Sequence, residues 1–396
     1  MSMTQYVAWE HRGVLDIGFG SITQIGAHFK AMGARRIGII TDKGLVKAGV
    51  VDLVKDVIEV QGAPVVAGVY DRIEQDAKSL IVNDCLRWCG ENGVEGLLAV
   101  GGGSVIDAVK GVKIMIGYGV REIAELMRAT AGLHGGLVIQ PLTFPHVAVP
   151  TTAGTGAESS PGAVIMAEED GLKGNIIHPH LGAQVCVLDP QVTLSLPPHL
   201  TAETGCDALS HCIEALFARN ANSLSDAFAI HAIKLIKKYL PIAFQDGRNV
   251  EARMQMLIAS NMGMQAYSKA NGSAPIHNFA HAIGPKLDIS HGLANAVLMS
   301  HVMSVLFPLY LPRIREFAEA FGVETAGLSP EQIYGAAVAA LEDFKKQLGI
   351  PAVFPHKLTS EDKEDLRFRV KTDIAGFRFP LPVEAVDFIL ALSFST

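Results

Sequence analysis

Short apolar runs alternating with helix-period segments constrain this chain more than any other feature. Residues 36–41 (Arg36-Ile37-Gly38-Ile39-Ile40-Thr41), 63–70 and 96–100 each read as a buried strand, and Pro64 holds the second back to that residue or just beyond. Segments 51–60 and 79–89 between them carry helical periodicity. Strands separated by helices need right-handed crossovers, so the sheet is expected to be parallel and covered on both faces. Residues 147–149 and 183–188 add strands of the same kind. Beyond Leu196-Pro197-Pro198 only helices are predicted: 202–219, 223–239, 250–270, 294–310, 330–348 and 360–373. The reading is an α/β N-terminal domain with a Rossmann-like parallel sheet, residues 1–189, and an all-α C-terminal domain, residues 190–396. Ligands are expected in the cleft between the two.

Composition narrows the partners. A chain of 396 residues exceeds one ordinary core, and 49% hydrophobic residues exclude a disordered chain. A net charge of −7 argues against nucleic acid or an anionic membrane as partner. No apolar run of ~18–20 residues offers a membrane span, and the start carries no secretory pattern. Five cysteines without a Cys-x-x-Cys pair suit a reduced, cytoplasmic protein, with Cys206 and Cys212 read as core.

Two glycine-rich loops carry the first chemical signal. Gly101-Gly102-Gly103-Ser104-Val105-Ile106-Asp107 follows a strand and opens a helix, where backbone amides and the helix N-terminus suit a pyrophosphate. Ser104 is either a cap or a phosphate donor. The spacing is not Gly-x-Gly-x-x-Gly, and a tight turn needs the same glycines. Thr151-Thr152-Ala153-Gly154-Thr155-Gly156-Ala157-Glu158 follows a second strand with hydroxyls and glycines of its own. Asp42, at the end of a strand, is either a cap before Gly44 or an acceptor for ribose hydroxyls. The second role favours NAD over NADP by repelling a 2′-phosphate.

The second signal is a set of metal-ligand types in the helical half. Asp207 and His211 are four apart and stack on one helix face. His277 and His281 share a face in the same way, and His291 opens the next segment. Three of fourteen histidines between 277 and 291 exceed what packing asks for. A carboxylate with imidazoles suits a divalent transition metal that keeps a coordination position open for substrate.

Together these motifs resemble the iron-dependent, group III alcohol dehydrogenases over nearly the whole chain. The resemblance rests on Thr41-Asp42-Lys43-Gly44, Gly101-Gly102-Gly103-Ser104-x-x-Asp107, and Pro150-Thr151-Thr152-Ala153-Gly154-Thr155-Gly156-Ala157-Glu158. It continues through Asp207-Ala208-Leu209-x-His211-x-Ile213-Glu214, His277-x-x-Ala280-His281-x-x-Gly284 and His291-Gly292-x-Ala294-Asn295. It implies a dehydroquinate synthase-like fold and NAD-linked interconversion of a primary alcohol and its aldehyde, with the alcohol oxygen on the metal. The implied metal ligands are Asp207, His211, His277 and His291, and the implied proton relay is His281. Asp42, Gly101, Gly102, Gly103, Ser104, Val105, Ile106, Asp107, Thr151, Thr152, Ala153, Gly154 and Thr155 would line the cofactor, with Lys173 matched by spacing. The resemblance implies Fe(II), whereas the general affinity order favours Zn(II). It also implies a homodimer or higher homo-oligomer, built through residues 14–20.

Four departures from the family pattern flank the cofactor and the pocket. Glu74-Gln75-Asp76-Ala77 replaces Pro-Asn-Pro-Thr, putting Asp76 in place of asparagine. Gly272-Ser273-Ala274-Pro275-Ile276 precedes His277, Gly284-Pro285-Lys286-Leu287 follows His281, and Ser290 replaces a proline. The alternatives are a dehydroquinate synthase-like lyase or a glycerol dehydrogenase-like enzyme acting on a polyol or sugar-like substrate. The lyase needs a basic cluster beside the metal, where the sequence offers Lys286 alone. An inactive binding protein on this fold would be expected to have lost a ligand.

Overall fold

The computed structural model describes all residues except 1–8, 10–12, 61, 131–136, 170, 271–273, 374–378 and 396. Gly272 and Ser273, which begin one of the departures noted above, therefore lie outside the described residues.

Six strands form one parallel sheet: β1 (Val14–Ile17), β2 (Arg36–Ile40), β3 (Val65–Tyr70), β4 (Gly96–Gly101), β5 (His146–Pro150) and β8 (Val185–Leu188). Their order is β1-β8-β5-β4-β2-β3, and every pairing is parallel. Alternate residues feed two cores. Ile37, Ile39, Leu98 and Val100 pack on one face under α1 (Ile25–Ala31) and α3 (Val50–Val60), two helices flanking the short α2 (Lys43–Lys47). Ile40, Leu97 and Ala99 pack on the other under α4 (Ser79–Glu91) and α5 (Gly103–Tyr118). Burial on both faces explains why these strands read as continuous apolar runs. The chain runs outward from β2 to β3 and then returns to β4 on the other side of β2. That reversal opens a crevice at the carboxyl ends of β2 and β4, where α/β sheets bind ligands.

An element not anticipated from the sequence follows α6 (Ile123–Thr130) and β5. Strands β6 (Gly162–Ala167) and β7 (Leu172–Ile177) form an antiparallel hairpin outside the main sheet.

The second half is helical among the described residues. Helix α7 (Pro198–Leu216) is buried from Gly205 to its end, packed against α8 (Ser223–Gln245), α9 (Val250–Ala270) and, beyond α10 (Pro275–Leu287), α11 (His291–Val305). The helix expected over 294–310 is instead two. The chain breaks at Leu306 and α12 (Phe307–Tyr310) starts afresh, with the path onward to Ala320 turned by 93° from α11. Pro308 sits in the first turn of α12, where its missing N–H costs nothing; inside a continuous helix it would remove a bond and clash. The fold finishes with α13 (Ile314–Ala320), α14 (Pro330–Gln347), α15 (Ser360–Thr372) and α16 (Val383–Ser393). No single helix among the described residues is long and apolar enough to cross a membrane.

Candidate active site

The two glycine-rich loops leave adjacent strands and touch. Gly101 pairs in register with Pro150, and the Thr151 N–H donates to the Gly101 carbonyl at 3.1 Å. A Cβ on Gly103 would lie 2.7 Å from Thr155 Cγ2, so only glycine lets the loops approach this closely. Gly154 does the same toward the helical half: a Cβ there would meet Thr204 of α7 at 2.8 Å. The loop that follows β5 thus abuts the helix that carries Asp207 and His211.

Gly103, Ser104, Asp107, Thr155 and Lys173 line one cleft together with His211, His277, His281 and His291. Other expected cofactor residues do not line it. Val105 and Ile106 turn into the apolar core, leaving only their backbone for a ligand. Gly101, Gly102, Thr151, Thr152, Ala153 and Gly154 shape the loops behind the cleft wall. Asp42 caps α2, its Oδ1 accepting from the Leu45 N–H at 3.0 Å. It stands at the end of β2, beside β4 in the sheet. Ser104 is not the cap of α5, a position Gly102 holds; its hydroxyl accepts from the Asp76 N–H at 3.1 Å. Asp107 is half-buried, with Oδ1 3.1 Å from Lys110 Nζ and Oδ2 accepting from the Val164 N–H at 3.0 Å. Burial pushes its carboxyl up, with Lys110 opposing.

At the other end of the cleft, one ligand atom each from Asp207, His211 and His277 lie within 4.8 Å of one another, all three residues buried. His291 joins them from the first turn of α11, with Nε2 3.6 Å from Asp207 Oδ1 and its ring 5.3 Å from that of His277. Asn295 ties the two together, its amide donating to Asp207 Oδ1 at 2.7 Å and meeting His291 Nε2 at 3.1 Å. Ser290 caps α11 and donates its hydroxyl to Glu203. His211 Nδ1 and His277 Nε2 are buried ring nitrogens with no hydrogen-bond partner, and Nε2 stands 3.5 Å from Asp207 Oδ1. Unpaired donors and acceptors of this kind are rare in interiors. One carboxylate and several imidazoles converging on the same space fit a divalent transition metal.

The charged groups of the cluster act strongly on one another. Burial alone would raise the Asp207 carboxyl, but the His211, His291 and His277 rings hold it well below the usual carboxylate range. Burial drives His211 down to about 3, reinforced by His277. Burial likewise opposes protonation of His277, yet Glu214 and Asp207 outweigh it and push the ring up to about 10.

Glu214 is the residue that sequence reasoning passed over. Its Oε2 lies 2.5 Å from His277 Nδ1, and its Oε1 accepts from the Ile276 N–H at 2.6 Å and the His277 N–H at 3.3 Å. Carboxylates behind ligating histidines fix tautomer and ring orientation. The signal was present, since Asp207, His211 and Glu214 follow at helical spacing on the buried part of α7. Asp373, whose carboxylate meets His281 Nδ1 at 3.0 Å, had no comparable signal, being 92 residues away. The hairpin brings in Lys173, which corrects the count of bases. Lys286 pairs with Asp362 and Asp365 on α15 and does not line the cleft, whereas Lys173 does. A basic cluster for a phosphorylated substrate is still absent from the cleft lining among the described residues.

Known proteins resemble this chain in sequence and fold. Residues 15–190 match the family described as iron-containing alcohol dehydrogenase, and residues 201–371 match the C-terminal part of the Fe-containing alcohol dehydrogenase family. The choline dehydrogenase of Bacillus subtilis (strain 168) is 32% identical, covering 96% of this chain and 92% of its own. The NAD-dependent methanol dehydrogenase of Bacillus methanolicus is 31% identical, covering 88% of this chain and 89% of its own. The crystal structure of a 1,3-propanediol oxidoreductase superposes with a TM-score of 0.89 at 30% identity, over 98% of this chain and 100% of its own. With the fold, the cleft and the family matches in agreement, the chain belongs to the iron-containing alcohol dehydrogenases and is a metal-dependent alcohol dehydrogenase.

Proposed function

We propose that this enzyme interconverts a primary alcohol and its aldehyde by hydride transfer, with NAD as partner and Fe(II) or Zn(II) as the ion. The carrying observation is that the buried Asp207–His211–His277 cluster shares one cleft with the glycine loop that opens α5. When bound, the divalent ion supplies Lewis-acid polarisation of the substrate oxygen, and the nicotinamide accepts or donates the hydride. Asp207, His211, His277 and His291 would hold the ion, and Glu214 orients His277 from behind. Gly103, Ser104, Thr155 and Lys173 of the cleft lining would hold the cofactor, and Asp42 at the end of β2 would meet the adenosine ribose. Alcohol oxidation releases one proton besides the hydride. His281 relays it: Asp373 engages Nδ1, which leaves Nε2 to take the hydroxyl proton.

The halves 1–189 and 190–396 serve as cofactor and metal units. The molecule works in the cytoplasm as a homodimer joined at the free edge of β1, where Val14, Ile17 and Phe19 are exposed. Five buried free cysteines support a reducing compartment.

The test is NADH-dependent reduction of propanal by purified protein before and after chelation. Activity should vanish with the metal and return on adding Fe(II) or Zn(II). Undiminished turnover by metal-free protein would contradict the proposal. In His281→Ala, kcat should fall and the pH–rate profile change while metal content stays near wild type. Loss of the metal would instead make His281 a ligand.

A further inference from the structure

We propose that a second cavity, lying between α5 and α9 beside the active cleft, binds a small organic carboxylate on the ammonium of Lys113. The cavity measures about 560 Å³, within the ordinary range of ligand pockets, and takes its lining from both halves of the chain. Lys113, Gly182 and Gln184 come from the sheet half, and Gln265 and Ser268 from α9. Pro161, Ile177 and Ser268 line the active cleft as well, so the two spaces adjoin. Lys113 does not line that cleft: it stands about 15 Å further along α5 than Gly103, at the usual rise of a helix. The proposed alcohol dehydrogenase reaction leaves it without a role.

No acid answers the charge of Lys113 among the described residues. The residue is 1% exposed, and its Nζ donates to the Gly182 carbonyl at 2.7 Å and to Gln184 Oε1 at 3.3 Å. Both acceptors are neutral, and an ammonium carries a third donor. Lys110, one turn earlier on α5, differs in having Asp107 as its counter-charge. Gln184 is held in place from two sides: Oε1 also accepts from the His146 N–H at 3.0 Å, and Nε2 donates to the Phe144 carbonyl at 3.0 Å. The buried His146 ring supplies no charge, since burial, with Lys113 and Lys110 adding, keeps it neutral. Neither of its nitrogens has a hydrogen-bond partner. The other titratable groups lining the cavity among the described residues are His180 and Lys269, both bases. A buried cation without an anion is costly, and an arriving anion favours the charged form. Burial lowers the pKa of Lys113 to about 7, so a carboxylate meets it near its own midpoint at neutral pH. Leu142, Pro161, Pro179 and Ile177 give the cavity an apolar wall. A single carboxylate on a short carbon chain matches both the ammonium and that wall.

The experiment titrates butyrate by calorimetry into metal-loaded wild type, Lys113→Met and Lys173→Met, each with NADH present. Wild type should bind butyrate at a site from which excess butyramide does not displace it, because the amide brings no charge to Lys113. Lys113→Met should weaken that binding about tenfold or more, the loss of one buried charge-assisted hydrogen bond. Lys173→Met, altered in the active cleft, should bind butyrate as wild type does. Butyrate binding lost in Lys173→Met and kept in Lys113→Met would belong to the active cleft and overturn the proposal. A wild type that binds no butyrate, or releases it to butyramide, overturns it too. If Lys113→Met fails to fold, wild-type crystals soaked in 4-bromobutyrate decide the matter. Anomalous scattering from bromine should appear in the cavity beside Lys113, and its absence there would overturn the proposal.

Discussion

Glu214 accepts from two backbone amides and from the His277 ring at once, so one residue sets both the start of α10 and the aim of a proposed metal ligand. In Glu214→Gln the amide nitrogen cannot replace the second carboxylate oxygen opposite Nδ1. Metal affinity should fall ~10–100-fold. Metal titration of the folded variant checks this, and affinity within twofold of wild type would count against the role. Asp42 combines a cap and a charge. Asp42→Asn keeps the cap on Leu45 and removes the negative charge, so the preference for NAD over NADP should narrow without loss of stability. Equal use of both cofactors by the wild type would sink the assignment of Asp42. At this scale, residues whose partners lie on the same helix were legible in sequence, as with Asp207 and His211. Asp76 could be named from sequence only as a departure, because its partner Lys173 comes from a hairpin 97 positions on.

Five of the six strands of the main sheet and the long helices were legible because each buries a regular pattern, whereas β1, exposed at both its ends, was not read from the sequence. Leu97 and Ala99 feed one core while Leu98 and Val100 feed the other, so their run is apolar throughout. The β6–β7 hairpin escaped because it lies outside that sheet and carries Lys173 and Asn175 among its apolar residues. Its signal was the Asp170-Gly171 step in the sequence, a common hairpin turn, with Gly171 at φ 65°. Helix α5 carries a prediction of its own. Lys113 is buried, donating to the Gly182 carbonyl at 2.7 Å and to Gln184 Oε1 at 3.3 Å. Burial, with Lys110 adding, lowers its pKa from 10.5 to about 7. Between those values the unfolded chain keeps a proton that the folded protein has released. The unfolded state binds more protons there, so stability from this group rises with pH across that window. Urea unfolding at pH 7 and pH 9 should show that gain in wild type and a flatter response in Lys113→Met. Identical slopes would mean that the lysine is not desolvated. The comparison is of slopes, because the substitution also removes two hydrogen bonds.

Across the whole molecule, the proposed function divides the work between halves that meet at one cleft. The expected metal ligands all come from helices α7, α10 and α11, while the glycine loops come from the parallel sheet. Gly154 against Thr204, and Asn261 donating to Glu158 at 2.8 Å, hold the two together. The order of strands and helices was readable along the chain, but the meeting of these loops with the histidines depends on packing between distant segments. The division makes the central claim separable. Asp207→Ala removes the only carboxylate in the Asp207–His211–His277 cluster, without touching the sheet or its loops. The decisive measurement is metal content, NADH affinity and propanal reduction on one folded preparation of Asp207→Ala. The account predicts that metal and turnover are lost together while NADH still binds; a variant that turns over at the wild-type rate without metal would contradict it.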